Sequence, residues 1–546
     1  VAMEILEANA VPLSYDPPTP DEKMKSKELE AYLRSLGLYE TKDEVTHRQE
    51  LLESLQNLVR ESVKQILKNQ NAFTNQSPEE LANLFTFGSF RMGINEPSAD
   101  IDSMAVGPAA VSRDLFFDIM EAYLKSDPKA SDITVIPDAF VPIISMKYGG
   151  IDFDLSYAPI NRYQTRLPVD FDILDDNNLR NCDDQTVRSL NGRRVTDTIL
   201  NIVPDRSTFL LVLKAFRYWA QNRGLYKNVM GYFGGVNCAL LCSFACMSYP
   251  KAAPAVVLRQ CFRLFSEWAW PSPVALTPVV LKPELGQDEG VWNPKTNEKA
   301  RSDLFPLLTP CYPSQNSCYT VMRSTRDVIV REFARGAEVT EKVLRGETGW
   351  AELFRKFPFF SAYKYYIQVE VSASSEDLFN QWYGFVESRM RRFIPFIEAR
   401  EGVRTHLYPK SFAPPGREHC KAFFVALILE NANTVVDLAG AVANFKALLA
   451  EQFDLQTVEI EFTSFKNTSK GNELPDYLFP EGKKVKHRKR TKTGVEEKKG
   501  RRGSKETEWT NSEGDHMGVL LQLIRFILSF KSEIRDDFKL FGIKFS

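Results

Sequence analysis

FGSFRMGINEPSADID, residues 87–102, is the stretch that decides the predicted fold. The apolar residues before and after it predict two short strands joined through a Gly/Pro-containing turn. Gly88-Ser89 closes the first strand and opens a helix, and such a turn offers N–H groups and a hydroxyl to phosphate oxygens. Asp100 and Asp102 have the spacing that projects two carboxylates from one face of a strand, roughly 6–7 Å apart.

A second acidic alternation strengthens the case for a metal site. Two like charges this close are unfavourable unless a cation neutralises them, and carboxylate oxygens suit Mg²⁺ or Mn²⁺. In the segment Ile151-Asp152-Phe153-Asp154, either Asp152 or Asp154 could complete a three-carboxylate cluster. The alternative is solvated carboxylates on exposed strands. A cluster of three, next to a Gly-Ser turn, favours two-metal phosphoryl transfer.

Composition bounds the class of protein. The chain has 546 residues and a mass of 62.3 kDa, enough for about three or four domains. Hydrophobic residues make up 43% and charged residues 26%, which excludes collagen-like, fully disordered and membrane-embedded chains. The longest apolar candidate, residues 519–530, is interrupted by Gln522 and Arg525 and falls short of the roughly 20 residues of a membrane span.

Cysteine usage indicates a reducing compartment, because eight cysteines without a CxxC motif do not form a disulfide scaffold. Cys238, Cys242 and Cys246 share one helical face, and core packing is favoured over zinc binding. Residues 483–502 hold eleven Lys or Arg residues against two Glu residues. This run is typical of a bipartite nuclear address or a nucleic-acid tether, with a solvated tail as the alternative.

Hydrophobic periodicity divides the chain into regions of different predicted secondary structure. The pattern over 23–69 is helical, 60–165 forms a small α/β or α+β unit, and 166–345 is mostly helical. Residues 362–470 follow a β-α-β-β order, as a ferredoxin-like or RRM-type domain would, although an RNP1 signature is missing. An apolar helix is expected over 517–541.

Blocks spread over residues 20–470 carry a resemblance to one family. FGSFRMG…ADID is followed in order by RSLNGRRVTDTIL (188–200), FRYWAQNRGLYKN (216–228), GYFGGVNCALL (231–241), WAWPSPV (268–274), VWNPKTN (291–297), LTPCYPSQNSCYTV (308–321) and STRDVIVREF (324–333). The chain resembles eukaryotic nuclear poly(A) polymerases, members of the DNA polymerase β-like nucleotidyltransferase superfamily.

The resemblance implies an α+β multidomain fold. Its expected parts are a polymerase β-like nucleotidyltransferase palm at 60–165, a helical middle domain from 20–59 and 166–347, and an RRM-like, ferredoxin-like domain at 348–470. The remainder, 471–546, is expected to be a basic tail with a possible helix.

The resemblance also implies site residues. Asp100, Asp102 and Asp154 match the catalytic, metal-binding carboxylates, so the motif selects Asp154 over Asp152. The implied ATP-contacting set is Phe87, Gly88, Ser89, Asp100, Ile101, Asp102, Asp154, Asn191, Arg217, Tyr226, Asn228, Gly235 and Val236. Two positions depart from the family: Arg217 stands where lysine is usual, and Asn237 stands where relatives often carry Trp or Ser. Asn237 could reshape the pocket wall.

The implied activity is template-independent addition of AMP from ATP to the 3′-hydroxyl of RNA, with two Mg²⁺ or Mn²⁺ ions. The implied partners are the RNA 3′ end and cleavage and polyadenylation factors in the nucleus, with no membrane. A terminal uridylyltransferase, a CCA-adding enzyme and an oligoadenylate synthetase are rivals that the RRM-like C-terminus disfavours. A non-catalytic RNA-binding protein would be expected to have lost a carboxylate, whereas a scaffold role for the basic tail can coexist with activity.

Overall fold

The computed structural model describes residues 3–431, 436, 438–468 and 471–480. The strands are β1 (Met3–Leu6), β2 (Asn83–Thr86), β3 (Ile101–Pro108), β4 (Ala130–Ile136), β5 (Ile143–Tyr148), β6 (Ile151–Ile160), β7 (Val279–Leu281), β8 (Tyr365–Ala373), β9 (Val403–Leu407), β10 (Cys420–Leu429), β11 (Val458–Thr468) and β12 (Gly471–Asn472). The helices are α1 (Pro20–Ser35), α2 (Lys42–Asn69), α3 (Pro78–Leu81), α4 (Gly88–Met92), α5 (Arg113–Ser126), α6 (Asp184–Ile202), α7 (Arg206–Arg223), α8 (Gly235–Ser248), α9 (Pro254–Glu267), α10 (Glu298–Ser302), α11 (Arg323–Leu344), α12 (Trp350–Leu353), α13 (Phe359–Ala362), α14 (Glu376–Glu387), α15 (Met390–Glu398) and α16 (Leu438–Ala450). The basic run at 483–502 and the helix expected over 517–541 lie outside the described residues.

The first sheet has the strand order β2-β3-β6-β5-β4, in which only the β3–β6 pair is parallel. Helices α2 and α5 cover one face, where Val59 and Phe116 are fully buried with Phe153 of the sheet. Helix α6 covers the other face. The predicted turn before β6 is a two-residue hairpin turn in which Gly149 and Gly150 both have positive φ, at 58° and 84°. The parallel pair therefore lies at the centre of the sheet, shielded on both faces.

The helical middle of the chain packs around α7. Phe216 and Trp219 of α7 are fully buried, and the Phe216 ring lies 5.6 Å from the ring of Phe262 on α9. Every cysteine on the predicted helical face of α8 is a buried free thiol, which confirms core packing. Among the described residues, no helix is both long and apolar enough to cross a bilayer.

The boundary between the first-sheet domain and the helical middle domain is set by which helices pack on each, and it does not fall at a single point in the sequence. Helix α1 joins the middle helices, since the Trp350 indole donates a hydrogen bond to the Lys25 carbonyl at 3.1 Å. Helix α2 packs on the first sheet along most of its length, because its apolar stripe from Leu51 to Leu67 faces α5 and the strands. The predicted limit at residues 59 and 60 therefore falls inside one continuous helix.

The C-terminal sheet has the order β12-β11-β8-β10-β9, and all its pairs are antiparallel. With α14 and α15 after β8 and α16 after β10, the chain follows a βαββαβ path, which confirms the predicted ferredoxin-like, RRM-like topology. One face of this sheet packs on α14–α16.

The opposite face of this sheet, which an RRM uses to stack bases, is covered by the chain itself. Tyr366 and Phe424 on that face are fully buried. Phe359 from α13 and Leu474 and Leu478 from the following segment pack over them. The topology is thus RRM-like, while the surface that makes an RRM an RNA reader is part of the core.

Candidate active site

Three carboxylates meet where β3 and β6 run side by side. In the parallel register Asp102 stands directly opposite Asp154, and Asp100 immediately precedes β3. One carboxylate oxygen from each of the three lies within 4.8 Å of the others. Asp152 is outside this cluster and pairs with Lys147 of β5 at 3.9 Å. The register of two strands therefore brings together residues more than fifty positions apart.

The cluster is electrostatically unfavourable without a cation. Burial, followed by the charges of Asp100 and Asp154, raises the pKa of Asp102 to about 7, and the Arg217 guanidinium opposes the rise. Burial also raises the pKa of Asp154, with Asp100 adding to the rise and hydrogen bonding to Ser145 opposing it. Converging oxygen ligands that repel one another are the donor set that Mg²⁺ or Mn²⁺ stabilises.

The backbone at Gly88 lies very close to the Asp102 carboxylate of the cluster. Its φ is +61°, and a Cβ built on it would lie 2.6 Å from Oδ2 of Asp102. The Phe87 N–H donates to the Asp102 carbonyl at 3.1 Å, and the Gly88 N–H donates to the Thr196 hydroxyl at 3.3 Å. The predicted phosphate turn therefore lies directly against a carboxylate of the cluster.

Three of the predicted nucleotide residues lie around this turn in different environments. Ser89 is the second residue of α4, and its hydroxyl makes no hydrogen bond within the part of the chain that the structure describes. Asn191 lies on α6, and its buried Oδ1 has no protein partner among the described residues. Ile101 is fully buried in the sheet core, so only its backbone could reach a ligand.

Charged residues that sequence reasoning missed fix α4 against α6. The Asp197 carboxylate accepts from Arg91 at 2.8 Å and from Arg193 at 2.6 Å. Arg193 also donates to the Thr86 carbonyl at 2.8 Å, at the end of β2. The Arg91–Asp197 pair has no sequence signal because its members lie on separate helices, whereas Arg193 and Asp197 have the i,i+4 spacing of neighbours on one helix.

Arg217 and Tyr226 lie across from the carboxylate cluster. The space between these two residues and the cluster is called the nucleotide cleft. The Arg217 guanidinium carbon lies 5.6 Å from the centre of the Tyr226 ring, and its charge acts on Asp102. Burial raises the pKa of Tyr226 to about 12, so the phenol is neutral at physiological pH. A Cβ on Gly235 would lie 3.4 Å from the Tyr226 hydroxyl, which places the start of α8 beside the same ring.

The first three residues of α8 differ in exposure: the first two are exposed and the third is buried. Gly235 and Val236 are exposed, as residues lining a pocket would be. Asn237 is fully buried, so it supports the pocket from behind rather than forming its wall. It contacts Asn228 and Ser317, and sequence reasoning did not find Ser317.

Family comparisons match most of the chain in order. The family described as "Poly(A) polymerase nucleotidyltransferase domain" matches residues 10–203, and "Poly(A) polymerase central domain" matches residues 208–356. "Poly(A) polymerase predicted RNA binding domain" matches residues 358–419.

Curated relatives extend the match. Nuclear poly(A) polymerase 1 of Arabidopsis thaliana is 36% identical over 490 residues, which are 87% of this chain and 67% of that protein. Poly(A) polymerase of Dictyostelium discoideum is 36% identical over 488 residues, 86% of this chain and 59% of that protein. The chain thus spans about three fifths to two thirds of these relatives. Among solved structures, the Cid1 poly(U) polymerase aligns with 61% of this chain and 99% of its own at 14% identity, with a TM-score of 0.41.

Proposed function

The chain belongs to the eukaryotic poly(A) polymerase family, and from this premise we propose that it adds AMP from ATP to the 3′-hydroxyl of RNA without a template. The observation that carries the proposal is the convergence of Asp100, Asp102 and Asp154 within 4.8 Å on adjacent parallel strands. A family member that had lost activity would not be expected to retain this mutually repulsive set.

In the proposed reaction the RNA 3′-hydroxyl gives its proton to solvent, its oxygen bonds to the α-phosphorus of ATP, and the bond from that phosphorus to the leaving pyrophosphate breaks. Asp100, Asp102 and Asp154 would hold two Mg²⁺ or Mn²⁺ ions, which lower the cost of ionising the hydroxyl and of the charge on the leaving group. Gly88 leaves the space that the Asp102 carboxylate occupies, because a Cβ at this position would collide with Oδ2.

ATP is proposed to lie between the first sheet, the C-terminal half of α7 and the start of α8. Ser89 and Arg217 would contact the phosphates, since one offers a hydroxyl without a protein partner and the other a cation facing the carboxylates. The Tyr226 ring, and the exposed Gly235 and Val236 beside it, would line the nucleoside. The unpartnered amide oxygen of Asn191 would accept from the ligand. Domain closure over this cleft would exclude water.

Because the RRM-type face of the C-terminal sheet is covered by the chain itself, we propose that RNA binds at another surface. A groove of about 570 Å³ lies between residues 299–323 and 394–404. Arg323, Arg404 and Lys299 line it, and the Tyr319 ring, 46% exposed, lies 4.9 Å from the Lys299 amine. A basic groove with an open aromatic ring suits single-stranded RNA, so we place the primer upstream of its 3′ end here.

Two acidic side chains, Asp303 and Glu398, also line that groove. Asp303 accepts a hydrogen bond from the Trp292 indole at 2.9 Å, and Glu398 accepts from the backbone and hydroxyl of Thr405, both at 2.8 Å. These bonds use one oxygen of each carboxylate and leave its charge in place, so the groove is basic because three cationic side chains outnumber two anionic ones.

Location and protein partners are further proposals. Two of the relatives, numbered 1 and 4 in Arabidopsis thaliana, are named nuclear poly(A) polymerases, which supports a nuclear enzyme. The run at 483–502 would serve as the nuclear address. Cleavage and polyadenylation factors are the proposed partners that would bring transcripts to it.

Primer extension tests the function. The protein is mixed with oligo(A) RNA and each nucleoside triphosphate separately, in Mg²⁺ and in Mn²⁺. Asp154→Ala is expected to abolish a ladder that forms with ATP alone, whereas Asp152→Ala, outside the cluster on the same strand, is the matched control and keeps it. A ladder with UTP or CTP instead would move the chain to another branch of the superfamily. No extension by folded protein would favour an RNA-binding or scaffold role.

A further inference from the structure

A buried amide stands behind the nucleotide cleft. Asn237 has no exposed surface, and it is a polar residue at the start of a buried helix whose following residues are mostly apolar. Burying an amide is unfavourable unless its donors and acceptors are satisfied, so its hydrogen bonds determine how it is oriented. They also determine the orientation of a neighbour that faces the cleft.

The orientation of Asn237 follows from its partners. The Ser317 hydroxyl donates to the Leu307 carbonyl at 2.9 Å, so it can only accept from Asn237, whose amide nitrogen lies 2.8 Å away. On its other side, the Asn237 oxygen accepts from the Gly234 N–H at 2.6 Å. Exchanging the amide's oxygen and nitrogen would break both bonds.

The same logic fixes Asn228. Its amide nitrogen lies 3.2 Å from the Asn237 oxygen and 3.2 Å from the Ser317 carbonyl oxygen, and both are acceptors. Only the NH₂ group of Asn228 can face them, so its Oδ1 points away from the pair. Within the described residues no group donates to that oxygen, and the residue is half-buried rather than sealed in the core.

Asn228 lies at the edge of the cleft. A Cβ on Gly234 would be 3.5 Å from the Cβ of Asn228, and Gly235 is next to the Tyr226 hydroxyl. Tyr226 in turn lies under Arg217, which faces the carboxylates. The free oxygen of Asn228 is therefore a hydrogen-bond acceptor on the nucleoside side of the site.

We propose that Asn237, with Ser317, is a positioning residue that holds Asn228 with its oxygen toward the base. Asn228 then accepts from an exocyclic amine, as on adenine, and repels a carbonyl oxygen at the same place, as on guanine or uracil. This inference rests on the proposed function. Cytosine also carries an exocyclic amine, so this device distinguishes amino from oxo bases and leaves the choice between ATP and CTP to other contacts.

The experiment compares Asn237→Ala and Ser317→Ala with Ser243→Ala. Ser243 is equally buried on α8 and its hydroxyl bonds only to the Ala239 carbonyl, so it controls for a loosened helix. Single-nucleotide addition to oligo(A) is measured for all four triphosphates, together with equilibrium binding of each triphosphate without primer. Thermal denaturation checks that each variant folds.

Asn237→Ala is expected to lower the preference for ATP over GTP and UTP about 10-fold, because Asn228 then keeps only the Ser317 carbonyl of the two acceptors that orient its amide. The ratio of ATP to CTP should stay the same, and Ser317→Ala should have a smaller effect in the same direction. A proportional loss with all four nucleotides, or the same shift in Ser243→Ala, would overturn the proposal.

The binding measurement separates this proposal from the proposed function. If the wild type binds ATP selectively but adds no nucleotide, the polymerase function fails while the selectivity shift in binding still tests Asn237. If extension with ATP proceeds and Asn237→Ala leaves both ratios unchanged, the function stands and the role of Asn237 is refuted.

Discussion

Gly88→Ala should disable the site through one methyl group. The new Cβ would lie 2.6 Å from Oδ2 of Asp102, well inside the usual contact distance. The φ of +61° also carries a backbone cost for any residue with a Cβ. The carboxylate is the side that can move, because the Phe87 and Gly88 backbone is held by hydrogen bonds to Asp102 and Thr196.

The two effects differ in size and in kind. The left-handed backbone costs roughly 1–2 kcal/mol of stability. The collision must shift the carboxylate by somewhat under 1 Å to restore a normal contact, and misplacement on the order of 1 Å can cost about 100-fold in rate. We therefore expect a modest loss of stability together with a fall in kcat of about 100-fold.

A second glycine separates these effects. Gly37 has a φ of +71°, and a Cβ there would have no neighbour within 4 Å. Gly37→Ala should lose the same stability by thermal denaturation while retaining its rate of ATP addition to oligo(A). Half-saturating Mg²⁺ should rise for Gly88→Ala only. If Gly88→Ala keeps the rate of Gly37→Ala, the added methyl group does not displace the Asp102 carboxylate from its working position, and this prediction is refuted.

Three further outcomes are expected. Asp102→Asn should make the metal-free protein more stable above pH 7. The folded-state pKa of Asp102 is raised to about 7, so the stability that this group contributes is complete below about pH 4 and is lost as the pH rises through 7. Denaturation from pH 5 to 8 should show a loss of about 3 kcal/mol in the wild type relative to Asp102→Asn. A flat pH difference between the two proteins would contradict this cause. Arg217→Ala should raise KM for ATP about 10-fold or more in steady-state assays, with Arg217→Lys intermediate, since a lysine keeps the charge but not the planar contact with Tyr226. Tyr319→Ala should raise KM for the RNA primer by about 5- to 100-fold through loss of base stacking and leave KM for ATP unchanged. Tyr15→Ala, an exposed tyrosine near Lys251, is its control, and an equal effect there would refute a specific groove.

Local patterns in the sequence were enough for the elements and for part of the site. Alternation over 151–155 predicted β6 and placed its acidic residues on one face, and spacing along α8 placed three cysteines in the core. Such patterns succeed because a strand or helix repeats its side-chain direction at a fixed period, which each chain segment records by itself. The order of family blocks then supplied the architecture.

What tertiary structure decided was which segments meet. The spacing of residues left Asp152 and Asp154 equivalent, and it was the parallel register with β3 that brought Asp154 opposite Asp102. Packing of distant segments also buried one face of the RRM-like sheet under Phe359 and placed Asn237 behind the cleft rather than in its wall. These outcomes depend on strand register and on hydrogen bonds between distant residues, and no local period encodes either of them.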